Sequence, residues 1–166
     1  MEVVGLFAKL SSDFIDELAD ELRGKKVLEV FGGNGYLAFQ LQSRGVKVMC
    51  TSILSGMDGH DINKFTDIED IDAVEAVVKH GEHFDVLLMS WPTVTMAAYK
   101  AAVLWGADKD IVYLGERTED PDAPLWQLAG CATDEFHAAV KPVRDFKHYT
   151  PKNHMDRAYV ARFNHS

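Results

Sequence analysis

Only two of the 166 residues are cysteine. Cys50 and Cys131 leave no disulfide framework, so the expected setting is a reducing, cytoplasmic one. Cys50 lies in an apolar stretch and reads as a packing residue. No apolar run approaches the roughly 20 residues needed to span a bilayer. The opening "MEVVGLFAKLSSDF" has neither the basic start nor the apolar stretch of an export signal. Basic charge is also scarce: 17 Lys and Arg stand against 26 Asp and Glu, a net charge of −9, with no basic cluster longer than two residues. A duplex-binding surface needs such clusters to displace counterions from phosphate. A small molecule or a protein is therefore expected as partner ahead of nucleic acid. No internal repeat, low-complexity segment, zinc-type Cys/His spacing or G-x-S-x-G elbow is present.

What remains is an ordinary globular composition at a length that fits one domain over residues 1–166. The spacing of Phe14, Ile15, Leu18, Ala19 and Leu22 predicts a helix over 11–24, with Ser12 as cap and Gly24 as stop. A strand over 26–31 enters a glycine turn, and a helix follows over 36–44. "VKVMCTS" is a second strand. The stretch after it is irregular and acidic, and a helix follows over 71–80. "FDVLLMSWP" reads as a buried strand, 94–105 as a well-buried helix that is apolar nearly all round, and "DIVYLGE" as another buried strand. Residues 119–130 read as a loop. Thr133 caps a short helix ending near Val140, and "VRDFKHY" and "RAYVARF" form an antiparallel pair. Alternating strands and helices imply a mostly parallel sheet with helices on both faces.

The glycine turn is Gly32-Gly33-Asn34-Gly35. Glycines let backbone approach a ligand closely, and the following helix offers free N–H groups. Gly33, Gly35 and Ala38 satisfy the dinucleotide spacing G-x-G-x-x-G/A. Glu29, near the end of the preceding strand, points the other way: a carboxylate repels a pyrophosphate and suits a cation.

With Glu29 included, "VLEVFGGNGYLA" resembles the first motif of class I S-adenosylmethionine-dependent methyltransferases, an acid followed by alternating glycines. Glu29, Gly33 and Gly35 match it, and Phe31 stands at the place of the first glycine. The resemblance continues in segment order to the final strand pair and implies a Rossmann-like methyltransferase fold. "GCATDEF" and "HMDRAYVARF" are similar to small methyltransferase-like proteins of phage and microbial type. The resemblance implies that Glu29 and the Gly33-Asn34-Gly35 backbone seat the methionine part of S-adenosylmethionine. That family usually ends its second strand in an acid that holds the ribose. Here Thr51 and Ser52 occupy that end and are expected to face the ribose, with Asp58 and Asp61 just beyond as acids that could stand in. "SWPT" at 90–93 is similar to the Pro-containing loop of methyltransferases that act on amino nitrogens, with Ser90 and Pro92 matching. Ser90, Trp91 and Glu116 are the expected acceptor-side residues. Trp91 would be a stacking wall and Glu116 a general base or the partner of a substrate amine. His137 and His154 are further candidates.

The family also places two helices and a strand between the second and fourth strands, where only one helix is evident here. Either an edge strand is missing or it hides in "HDINKF". An open edge would be covered by a second copy of the chain. The expected function is methyl transfer to an unidentified acceptor. The alternative is a non-catalytic binding protein on the same fold. A nicotinamide-dependent reductase fits least, because the chain is short of a substrate domain and Glu29 opposes it.

Overall fold

The computed structural model describes residues 10–53, 64–118, 131–151 and 155–164. The first helix, α1, spans Ser12–Leu22, and its five predicted apolar positions are all buried. Each such side chain contributes about 1.5–3 kcal/mol when fully removed from water. The cap is Ser11, not Ser12: the Ser11 hydroxyl accepts from the Phe14 N–H at 3.1 Å. The remaining elements are β1 (Lys26–Val30), α2 (Tyr36–Gln42), β2 (Lys47–Ser52), β3 (Ile68–Asp70), α3 (Ala73–His80), β4 (Val86–Ser90), α4 (Ala97–Trp105), β5 (Asp110–Glu116), α5 (Asp134–Ala139), β6 (Val140–Asp145) and β7 (Asp156–Phe163).

One seven-stranded sheet has the order β3-β2-β1-β4-β5-β7-β6. The pairs β1–β2, β1–β4, β2–β3 and β4–β5 are parallel. β7 runs antiparallel to both β5 and β6. Strands buried on both faces need continuous apolar runs, and "VLLM" in β4 and "IVYLG" in β5 supply them. Two apolar cores result. One joins α1 and α2 to Val27, Leu88, Val112 and Leu114. The other joins α3, α4 and α5 to Leu28, Leu87, Met89 and Tyr113.

Three expectations are corrected. The edge strand is not missing: β3 lies at Ile68–Asp70, within "DIED", and pairs with Cys50–Ser52. A three-residue strand with two acids has no apolar alternation, so periodicity cannot reveal it. With β3 in place, a trimmed sheet gives no reason to expect a second copy. α4 is not apolar because it is buried all round, since Val103 and Leu104 face solvent. β6 begins at Val140, directly where α5 ends, three residues earlier than "VRDFKHY" implied. The expected loop at 119–130 lies outside the described residues.

No helix among the described residues is long and apolar enough to cross a membrane.

Candidate functional site

The parallel strands β1, β2, β4 and β5 bring their carboxyl ends to one edge, where open α/β sheets bind ligands. β1 stops at Val30, and the chain turns through Phe31–Gly35 into α2. Gly33 (φ 62°) and Gly35 (φ 83°) take left-handed backbone. The turn is strapped to the end of β2. Gly32 N–H donates to the Thr51 carbonyl at 3.0 Å, and Gly33 N–H donates to the Ser52 hydroxyl at 3.1 Å. Gly35 N–H donates to the Gly32 carbonyl, and Tyr36 N–H to the Asn34 side-chain oxygen at 3.2 Å. Four N–H groups that a pyrophosphate cradle would offer thus have partners within the protein.

The three glycines of the turn meet different surroundings. A Cβ at Gly32 would lie 2.4 Å from Cys50 Sγ and 3.1 Å from Glu29 Oε1. One at Gly35 would lie 2.8 Å from Thr66, on the segment leading into β3. One at Gly33 would meet no heavy atom within 4 Å. Gly33 is therefore the open face of the turn.

Glu29 lies against Gly32, fully buried. Its Oε2 accepts from the Ser90 hydroxyl at 2.8 Å. Oε1 has no hydrogen bond of ordinary geometry and lies beside the thiol of Cys50, its neighbour across β1–β2. Burial raises the Glu29 carboxyl from 4.5 to about 7, and hydrogen bonds from Ser90 and Cys50 oppose the rise. Burial and the adjacent carboxylate push the Cys50 thiol up as well, so it stays protonated.

Ser90 ends β4 and is partly exposed. The next residue, Trp91, takes φ 49°, and its N–H donates to the Leu114 carbonyl at 2.7 Å. Its half-buried ring packs against both cores. A Cβ at Gly115 would lie in ordinary contact with Trp91 Cα, at 3.5 Å, and closer to Cys131 Sγ, at 3.3 Å. Ala132 N–H donates to the Pro92 and Thr93 carbonyls, fastening this loop. Phe31, Trp91 and Ala132 are the non-glycine residues with positive φ among the described residues. Each costs on the order of 1–2 kcal/mol, and strain of this kind gathers where function demands a geometry. Here Phe31 and Trp91 follow adjacent strands directly, and Ala132 bonds the second of these turns.

The remaining predicted residues fall as follows. Thr51 is fully buried, and its hydroxyl donates to the Glu29 carbonyl at 2.7 Å. Ser52 holds Gly33. Both side chains brace the turn from below. Glu116 ends β5 at the same edge, opposite Asp156 of β7, and its carbonyl accepts from the Tyr113 hydroxyl. His137 is buried, with Nε2 2.9 Å from the Cys131 carbonyl and its ring against Tyr113 and Phe136. Asp58, Asp61 and His154 lie outside the described residues. Among the described residues no group of three or more His, Cys, Asp or Glu could hold a metal ion. A cleft of about 640 Å³ lies beside β2 and β3, lined by Gln42, Val48, Cys50, Thr66 and Ile68, and does not include Ser90 or Glu116.

Two contributors were missed in the sequence. Cys50 has the sequence context of a packing residue, although strand register sets it against Glu29. Arg117, inside "GERTED", looks like a surface residue. Instead it is buried and donates to the His137 and Val140 carbonyls at 2.9 Å, fixing the end of α5.

No known family profile matches the chain, and no curated protein matches it in sequence. Solved structures do match. A mutant of MtNAS in complex with S-adenosylmethionine superposes with TM-score 0.58 at 15% identity, over 91% of this chain and 62% of that one. The 1,6-didemethyltoxoflavin-N1-methyltransferase of Burkholderia thailandensis, with bound S-adenosylhomocysteine, gives 0.55 at 16% identity, over 92% and 77%. The mitomycin 7-O-methyltransferase MmcR gives 0.55 at 13%, over 91% and 53%. The chain thus spans less than two thirds of the first and third of these. Strand order, the single reversed strand and these superpositions together show that the chain has the class I methyltransferase fold.

Proposed function

We propose that the protein transfers a methyl group from S-adenosylmethionine to a small-molecule or protein acceptor. The observation that carries this reading is a glycine turn that is open at Gly33 and rests, through Gly32, on a fully buried carboxylate. A cationic ligand is favoured beside an ionised Glu29, while a pyrophosphate would meet like charge and few free N–H donors. S-adenosylmethionine carries an ammonium and a sulfonium, and supplies an activated methyl group when bound. The chain's own part is positioning: the turn seats the ligand, and the Ser90-Trp91 loop at the adjacent strand end faces the acceptor. Neighbours of this fold bound to S-adenosylmethionine and S-adenosylhomocysteine support the choice.

Calorimetry with each ligand tests it. Both are expected to bind, and absence of heat at millimolar ligand overturns the reading. Gly33→Ala places a methyl group on the open face at φ 62°. It is expected to stay folded and to weaken binding by about tenfold or more, a loss of at least about 1.4 kcal/mol.

A second reading, binding without catalysis, is favoured by one observation. Thr51 and Ser52, at the usual place of the ribose-holding acid, have their hydroxyls turned to the protein itself. Ligand binding without methyl transfer to any fractionated acceptor pool would select it.

A further inference from the structure

Glu29 and Ser90 form a link from the open edge of the sheet to its interior. Ser90 is partly exposed; Glu29 is fully buried; one hydrogen bond of 2.8 Å joins them. The second carboxyl oxygen has no ordinary partner. The groups acting on the carboxyl among the described residues are Ser90 from β4 and Cys50 from β2, both neutral. The turn at 31–35 and helix α2 contain no charged side chain. Among the described residues no fixed cation therefore holds Glu29 ionised, and its charge is free to follow what is placed on the turn.

We infer that the Glu29–Ser90 pair is a proton acceptor whose state follows the ligand's charge: carboxylate beside a sulfonium, carboxylic acid beside a neutral thioether. The inference rests on the methyl-transfer reading. Transfer to an acceptor X–H forms an X–C bond, breaks an S–C bond whose electron pair stays on sulfur, and leaves one proton to place. Ser90 takes that proton at Oγ as it passes its own hydrogen to Glu29 Oε2. The site begins with one positive and one negative charge and ends with neither. A buried site favours this, because no net charge appears in low dielectric. The rise of the carboxyl to about 7 lets either state exist near neutrality. The pair therefore also sets selectivity between the two ligand forms.

The test needs no acceptor. S-adenosylmethionine and S-adenosylhomocysteine are titrated into the full chain from pH 6 to 8.5, in two buffers of different ionisation enthalpy. Near pH 7 the sulfonium ligand is expected to release protons on binding and the thioether to take them up. The ratio of their affinities is expected to rise with pH. The rise is about tenfold for each pH unit by which the two ligands separate the carboxyl's titration. Glu29→Gln is expected to bind both ligands with a flat ratio. Ser90→Ala removes a bond that stabilises the carboxylate and shifts the midpoint of the rise upward, which covers the case that Glu29→Gln does not fold. Binding of both ligands with a ratio independent of pH overturns the inference and leaves the methyl-transfer reading standing. Binding of neither overturns that reading, and the inference with it.

Discussion

A carboxyl held inside a protein without a cation makes stability depend on pH in a definite direction. Glu29 titrates at about 7 in the fold and at 4.5 when solvated. Below about pH 4.5 it is protonated in both states and has no effect. Between these values the folded chain holds a proton that the unfolded chain has released, so stability falls as pH rises. Above about 7 both forms are ionised and the full cost is present, about 3 kcal/mol. Glu29→Gln should therefore gain stability on the parent as pH rises from 4.5 to 7, by up to about 3 kcal/mol, read from urea midpoints at pH 5 and 8. Equal differences at both pH values would contradict it. Gly32 supplies a second prediction at this scale. Gly32→Ala drives a methyl group against Cys50 Sγ and should cost about 1–3 kcal/mol. In a Cys50→Ala background part of that cost should vanish, measured as a double-mutant cycle. Simple additivity would show that the crowding comes from elsewhere.

At the scale of elements, legibility followed periodicity. α1 was readable because five apolar residues recur at 3.6 spacing and are all buried. β4 and β5 were readable as unbroken apolar runs, and β1 as an apolar run interrupted only by Glu29. β3 was not, because three residues with two acids carry no pattern, and only hydrogen bonding to β2 makes them a strand. The site divided in the same way. Glu29 and the turn stood out as residues of unusual type in place. The pairing of Glu29 with Ser90, 61 positions apart, required the register of two parallel strands. The roles of Thr51 and Ser52 depended on where their hydroxyls point, which no sequence pattern encodes. The α1 cap is a testable case. Ser11→Ala removes the acceptor for the Phe14 N–H and should lower stability by about 1 kcal/mol. A shift that small moves the denaturation midpoint without altering its slope. The helix also serves distant chain: Glu17 accepts from the Lys147 and His148 N–H groups at 2.9 Å, fixing the turn that follows β6.

For the whole molecule, charge is the dominant property. At −9 the field repels phosphate backbones and attracts cations, which agrees with a cationic ligand and a non-nucleic acceptor. Fluorescence anisotropy with a labelled DNA duplex should show no binding at about 0.15 M salt and micromolar protein. Saturable binding there would reverse the preference among acceptors.

The placement of β7 governs how the molecule must be made. β7 follows β6 in the chain yet lies between β6 and β5. Until Asp156–Phe163 has been synthesised, β6 has no strand to join and the Ile111–Glu116 edge of β5 stays bare. Residues appear at about 5–20 per second during translation, so the nascent chain exposes an apolar edge until β7, the last of its seven strands, has left the ribosome. Ribosomes stalled after residue 150 should hold a five-stranded sheet that recruits chaperones, whereas those stalled on an added C-terminal linker long enough to free Phe163 from the exit tunnel should not.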